Sequence, residues 1–526
     1  MKRQNATTSG KSLTDHCISW LLQWLQTNKY CILSTLIAGL AAHLFFLSHK
    51  LVTFDDSLCT YGQTISSGRW GLAILTYLLP PFSMPWFHGV ASLLLMSVAM
   101  VVLVKLFDLR GRLAQVLLPA VIITSAVHTS IFLFMFTSTP YALAILLCVV
   151  SVYLVLQPGK RQFWLACTCL VATLSIYQVY ITLAIALLIV VLSLRLLGVS
   201  PPPAPPKEGG VQSCCEIGYW RVGAYLLLSL VVYFAIALAG IAYKGGLANS
   251  HVDYAVAAGE SLPWWEHVTG VFTNFVALFT HGKLGLINTP LSVVLHLVLM
   301  VTMVAFILVR QWQQGSVGRV VAQAALLLVA LPTTIHLFWL LLAPGHWNTL
   351  TVYAFVSIYI LAVALMVRYR PCHWLYDILA LCLMGITLNN IYFDNRTYLQ
   401  VEVQNVNNFA FYNSLVTQIK LMPELTPDSH LALVGDADTL VYNSDKDFGR
   451  NEIRGAVRLL NVYSRRDYII RQIGFDIPIL RRSDPEQVQL EADPRVQAMP
   501  VYPYHGSIMA IDSVIVVKLG PTSIEN

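Results

Sequence analysis

Charge is what this sequence has least of. Only 11% of its 526 residues are Asp, Glu, Lys or Arg, and 56% are hydrophobic, whereas a soluble domain carries roughly 25% charged residues. A string of soluble domains is therefore excluded, because a chain this apolar must place most of its surface against lipid. Carboxylates are scarcer still in one part: of 27 Asp and Glu, 10 fall in residues 1–390 and 17 in residues 391–526. The fold class that follows is an α-helical polytopic membrane protein with a small C-terminal α/β domain outside the bilayer. The net charge of +6 comes from short loops between apolar runs, which excludes a nucleic-acid surface.

Other absences narrow the chemistry. The ten cysteines form no CxxC pair and no His/Cys cluster with metal-ligand spacing, and residues 391–526 contain none. Cys31, Cys148, Cys167, Cys169 and Cys382 sit in apolar runs as small hydrophobes, while Cys214 and Cys215 fall in a loop. Neither a P-loop nor a G-x-G-x-x-G ahead of a helix is present, so no nucleotide site is expected. The first apolar run follows 29 polar or amphipathic residues and no small-residue cleavage site comes after it, so it reads as a span rather than a signal peptide. No solenoid-period repeat and no inverted pair of interrupted spans is found.

What is present is a series of apolar runs near the roughly 20 residues a membrane helix needs. Eleven are predicted, over 30–47, 88–106, 113–130, 138–156, 162–176, 179–197, 222–243, 290–310, 319–342, 349–367 and 372–390. The stretch 162–197 also reads as one long hydrophobic hairpin, and 268–281 as an additional short or re-entrant segment. With the N-terminus inside, Lys105, Arg110, Arg112, Lys160, Arg161, Arg195, Lys207, Arg221, Arg310, Arg319, Arg368 and Arg370 all lie on the inner side, as the positive-inside bias demands. The domain organisation is then 1–29, a cytoplasmic N-terminus whose residues 12–27 form an interfacial amphipathic helix; 30–390, the transmembrane domain; and 391–526, an extracytoplasmic α/β domain. The proline run 201–206 is a stiff inner linker. In the C-terminal domain, 430–442 and 509–519 read as strands and 453–474 as a helix ending at Gly474. The turn Gly435–Asp438 is either an ordinary turn or a ligand loop.

The first outer loop, 48–87, carries the chemistry. It holds Phe54-Asp55-Asp56, then Gly68-Arg69-Trp70, then a proline-rich and aromatic approach to the next span. Adjacent carboxylates repel, and partial burial raises the pKa of at least one, a state suited to taking a proton from a sugar hydroxyl. Arg69 can neutralise a phosphate bidentately. The alternative is a solvated loop whose Asp residues cap a helix. Lys244, Lys283, His251, His267 and His281 lie in or near the outer segment 244–289, as phosphate contacts or as interfacial residues. Trp264-Trp265 is either a sugar-stacking pair or an interface anchor. His336 is a polar group inside a span that needs a partner, and His346 and Trp347 sit in a short outer turn.

The order first span, FDDS, GRW, proline-rich stretch, second span resembles the polytopic glucosyltransferases that modify O-antigen and convert serotype. Ser175-Ile176-Tyr177-Gln178 and the pair Asn389-Asn390 at the end of the last span are similar to further features of that family. The resemblance implies a GT-C-like fold and transfer of a hexose, glucose first, from a polyprenyl-phosphate donor. The acceptor would be an O-antigen or other lipid-linked glycan on the periplasmic face of the bacterial inner membrane. It implies an acidic catalytic role for Asp55 and Asp56, donor-phosphate or substrate contacts from Arg69 and Trp70, and a cavity lined by Tyr177 and Gln178. Lys244, Lys283 and His346 are added as substrate-binding candidates. A donor synthase and a flippase are the implied functional partners. No cofactor is expected, since a lipid phosphate leaving group with basic residues beside it does not require a divalent metal, although two adjacent Asp residues can bind one. The competing functions are a transporter or flippase of lipid-linked sugars, which would carry charges at mid-membrane depth, and an O-antigen ligase or polymerase, which would rely on Arg and His in a large outer loop.

Overall fold

The computed structural model describes residues 13–53, 64–78, 82–198, 218–246, 263–314, 316–341, 347–368, 373–435, 437, 445–456, 464–481 and 484–521. Within them the chain is a polytopic helical bundle with a small sheet near its C-terminus. The predicted eleven runs all fall on helices. They are α2 (Lys29–Ser48), α4 (Pro85–Leu106), α5 and α6 (Arg112–Ile123 and Ala126–Leu133), α7 (Met135–Val155), α8 (Lys160–Ile176), α9 (Ile181–Leu196), α10 (Tyr219–Tyr243), α12 (Pro290–Gln314), α13 (Val317–Ile335), α15 (Thr349–Arg368) and α16 (His373–Lys420). By length and composition, nine helices among the described residues can cross a membrane, and α5 with α6, bent by 49°, makes a tenth. At 17 residues, α8 is shorter. The remaining helices of this region are the amphipathic α1 (Leu13–Thr27), the short α3 (Trp70–Leu78) inside the first outer loop, α11 (Trp264–Thr280), and α14 (Leu337–Leu341).

Small residues bring the first spans together. A Cβ on Gly39 would lie 2.5 Å from Leu93 Cδ2, and one on Gly89 would lie 2.4 Å from Leu47 Cγ, so α2 and α4 approach closely only because both positions are glycine. The centre of the bundle is α15, which is buried along nearly its whole length, while α10 and α13 expose much of their apolar surface. The end that carries the loops 107–111 and 156–159 is tied by arginines. Arg368 Nε donates to Phe107 O (2.9 Å), Arg310 Nε to Leu197 O (2.9 Å), and Arg221 Nη2 to Gln157 O (2.9 Å) and Gly159 O (2.9 Å). Each guanidinium thus satisfies carbonyls left open at the C-terminus of another span.

Three sequence expectations are corrected. The run 319–342 is not one regular helix: a π turn, Ala325–Ala330, precedes Pro332, and the helix breaks at His336. Proline lacks the N–H that Leu328 O would accept and its ring crowds that carbonyl. The helix expected over 453–474 is realised as α18 (Ser464–Arg471), with residues 453–456 in a turn. The strand expected over 509–519 is a hairpin, β2 (Ile508–Ile511) and β3 (Val514–Lys518), turned at Asp512 with φ 54, a left-handed conformation Asp tolerates better than most residues. The segment 162–197 is two helices, because Tyr177 is extended (φ −153, ψ 113) between them, and 268–281 belongs to α11.

The sheet has the order β1-β3-β2, with β1 (His430–Val434) parallel to β3 and β2 antiparallel to it. Alternation decides its two faces. Leu431, Leu433, Ile515 and Val517 pack on Tyr412, Leu415 and Ile419 of α16. Ala432, Val434, Val514 and Val516 pack on Leu490, Val496 and Met499, from α19 (Pro485–Ala492) and α20 (Pro494–Ala498) and the turn after them. The described residues 445–448 form the one-turn α17. Residues 449–456, which follow it, reach back into the bundle, where Ile453 and Ala456 join the main core.

Candidate active site

Asp55 and Asp56 lie outside the described residues, as does His346. Both flanks of the acidic segment are described, and both are anchored. Before it, Asn405 of α16 holds Val52: with its amide oriented to suit both partners, it donates to Val52 O (2.7 Å) and accepts from Val52 N (2.8 Å). After it, Gln178 Nε2 donates to Ser67 O (2.7 Å) and Tyr233 Oη donates to Gly68 O (3.2 Å). The break at Tyr177 supplies this second anchor, since it ends α8 and turns the Gln178 side chain toward the loop.

Arg69 sits on the same break. Its guanidinium carbon is 5.0 Å from the Tyr177 ring centre, and Tyr141 stacks on Tyr177 at 4.6 Å and 15°. A cation over a stacked phenol pair is attracted by the ring face. Trp70 follows at the start of α3, and its buried indole N–H has no hydrogen-bond partner among the described residues. Gly71 lets α3 lie against α8, because a Cβ there would fall 2.0 Å from Ser175 Oγ. The structure therefore brings Arg69, Trp70, Tyr177 and Gln178 together, and adds Tyr141 and Tyr233.

The other predicted residues lie apart from this group. Lys283 Nζ donates to Asn274 Oδ1 (3.4 Å) and lies 5.9 Å from the Trp347 ring centre. Trp347 tilts against His336 at 5.5 Å. His336 finds its partner in its own helix, at Pro332 O (3.2 Å). Lys244 caps α10, with its ammonium over Tyr243 at 5.8 Å. Trp264 and Trp265 are exposed, and His267 exchanges hydrogen bonds with Trp339, Nδ1 to its carbonyl (3.0 Å) and indole N–H to the His267 carbonyl (3.2 Å).

From Tyr177 a buried series of aromatic and polar side chains that sequence reasoning missed leads into the bundle. Tyr180 meets both Tyr177 and Tyr353 edge-on, at 5.5 and 5.3 Å, and Tyr353 Oη hydrogen-bonds His128 Nε2 (3.1 Å). Next to His128, Thr129 donates to the carboxylate of Asp394, whose second oxygen has no hydrogen-bond partner among the described residues. Asp394 is fully buried. A signal for it existed: Asn390, Asp394, Thr397, Gln404 and Asn408 recur at helical spacing and are all buried, a polar stripe that a solvated domain would not need.

A family model, Glucosyl transferase GtrII, matches residues 44–367, which takes in Arg69, Trp70, Tyr177, Gln178, Lys244 and Lys283. No curated protein and no solved structure matches the chain. With well over half of its length inside the family model, the chain belongs to the glucosyl transferase GtrII family.

Proposed function

We propose that this membrane glucosyltransferase moves glucose from a polyprenyl-phosphate donor to a lipid-linked or O-antigen glycan at the periplasmic face of the inner membrane. The observation that carries the reading is the pair of anchors around residues 54–63: Asn405 on Val52 before them, and Gln178 and Tyr233 on Ser67 and Gly68 after them. The anchors fix the points at which the chain enters and leaves the acidic motif, next to Arg69. In this reading Asp55 or Asp56 takes the proton of the acceptor hydroxyl. Arg69, fixed on Tyr177, stabilises the negative charge that grows on the departing phosphate. Trp70, Tyr177 and Gln178 border the donor, and Lys244, Lys283 and His346 add phosphate or substrate contacts.

A lipid-phosphate donor accounts for a chain with no nucleotide fingerprint and with its acidic motif beside the first span. The basic inner loops set the orientation, N-terminus inside, and residues 391–526 then form an extracytoplasmic domain that covers the site or binds the acceptor glycan. The donor is made and flipped by partner proteins.

The test is glucose transfer from a short-chain prenyl-phosphate glucose to a membrane glycan extract, comparing wild type with Asp55→Asn and Asp56→Asn, each with and without EDTA. Transfer that collapses in at least one folded variant supports the assignment, and persistence in EDTA supports metal-free chemistry. Equal transfer by both variants removes the acidic role.

A further inference from the structure

A recess lies between the turn joining α11 to α12 and the loop 449–456, with a volume of about 600 Å³, within the ~300–1,000 Å³ usual for small-ligand clefts. The sequence builds its near wall residue by residue. Gly285 has φ +68, and a Cβ there would lie 2.8 Å from Ile453 Cγ1, so the loop crosses the turn at a point only glycine suits. Thr289 then opens α12: its hydroxyl accepts from Ser292 N (3.1 Å) and donates to Asn389 Oδ1 (2.6 Å), with Pro290 as the first helical residue. Asn389 Nδ2 donates in turn to Asn288 Oδ1 (3.1 Å). In the far wall, Glu452 accepts from Leu284 N (2.9 Å) and pairs with Arg450 (3.3 Å). Phe393 and the aliphatic start of α12 complete the lining.

The chemistry of this lining is specific. It offers the Thr280 and Thr289 hydroxyls, the Asn288 amide, the His281 imidazole and the Arg450–Glu452 pair, set against the Phe393 ring. Groups that both donate and accept, beside an apolar face, suit a neutral polyhydroxylated ligand. Two facts favour the acceptor. Phe393, Arg450 and Glu452 lie beyond residue 367, where the match to the family model ends. Val294, in the lining, is 55% exposed, an apolar approach for a glycan held on a lipid. The recess is also wired to the Arg69 group: Thr349 donates to Leu284 O (2.9 Å), and Tyr353, on the same helix, touches Tyr180.

We propose that this recess is an acceptor subsite that holds one sugar of a neutral, lipid-linked glycan at a distance from the reacting hydroxyl. The proposal rests on the reading of the chain as a glucosyltransferase with a lipid-linked acceptor. Its test uses the full chain in nanodiscs, with Asn288→Ala and Arg450→Ala; the Arg450 side chain is 81% exposed, so its loss leaves the packing intact. Three acceptor probes are compared without donor present: a polyprenyl-diphosphate-linked oligosaccharide from bacterial membranes, the free oligosaccharide released from it, and bare polyprenyl diphosphate; binding of prenyl-phosphate glucose is measured separately. The expected result is that the glycan Kd rises about tenfold in each variant, that free oligosaccharide competes, and that affinity for prenyl-phosphate glucose is unchanged. Unaltered glycan binding in both variants overturns the subsite, as does competition by bare polyprenyl diphosphate equal to that of the glycan. Because glycan binding is read without transfer, wild type that binds the glycan but moves no glucose marks failure of the transferase reading alone.

Discussion

His43 of the first span and Tyr398 beyond the last span are hydrogen-bonded at 2.8 Å, Tyr398 donating to Nδ1 while Nε2–H donates to Ile123 O (2.8 Å). Both residues are fully buried, so the bond closes the bundle between residues 355 positions apart. Removing one partner leaves the other unsatisfied, at about 1–3 kcal/mol. Tyr398→Phe is therefore expected to lower the unfolding midpoint in detergent, measured by intrinsic fluorescence. His43→Leu should cost at least as much, since it also orphans the Ile123 carbonyl. The double variant should lose less than the sum of the two, and strict additivity would show that the pair is not coupled.

The stack of Arg69, Tyr177 and Tyr141 makes geometry, as well as charge, the expected requirement at position 69. Arg69→Lys keeps the charge and loses the planar face. It should lower kcat/KM for a prenyl-phosphate glucose donor by about tenfold to a hundredfold, with Tyr177→Leu falling in the same direction and Tyr177→Phe staying near wild type. A lysine variant as active as wild type would reduce Arg69 to a point charge.

Gly71→Ala is expected to reduce transfer without unfolding the protein, because the added methyl meets Ser175 Oγ and Cβ (2.0 and 2.9 Å) and pushes α3 and Arg69 away from the Tyr177 break. Adding Ser175→Gly removes both atoms and should restore part of the activity. No restoration would place the defect elsewhere than in this contact.

Arg368→Ala should destabilise the bundle by about 1–3 kcal/mol, the cost of leaving Phe107 O buried and unpaired. Arg368→Lys should recover only part of this, since one ammonium replaces a guanidinium that donates through both Nε and Nη2. Thermal unfolding of the three proteins side by side checks it.

Much of the bundle was legible because the membrane imposes one simple demand, a run of apolar residues long enough to cross. That demand says nothing about what happens where a span leaves the lipid. α16 continues to Lys420 although its apolar character fades near residue 390, because its polar residues are buried by neighbours rather than by lipid. Asp394 was invisible for the same reason: a carboxylate one turn past an apolar run reads as solvated until Thr129 is seen beside it. The helix expected from residue 453 fails because Gly455, at φ +93, lies against Leu133 and Phe134, and docking of that loop outweighs its local pattern. Of the candidate residues picked from the sequence, Arg69, Tyr177 and Gln178 meet around one helix break, while Lys283 keeps other company.

The arginine ties at the end of the bundle away from the site have a consequence for biogenesis. Phe107 closes a span made early, yet the side chain that completes it arrives 261 residues later, and Leu197 waits 113 residues for Arg310. Until the late spans are inserted, the early ones stand in the bilayer with open carbonyl ends, a half-built state distinguishable from the finished one. A chain truncated before residue 368 would display that state permanently and offer membrane quality-control proteases a marked target. The same basic residues that bias which way each span enters thus also record that the last of them has arrived.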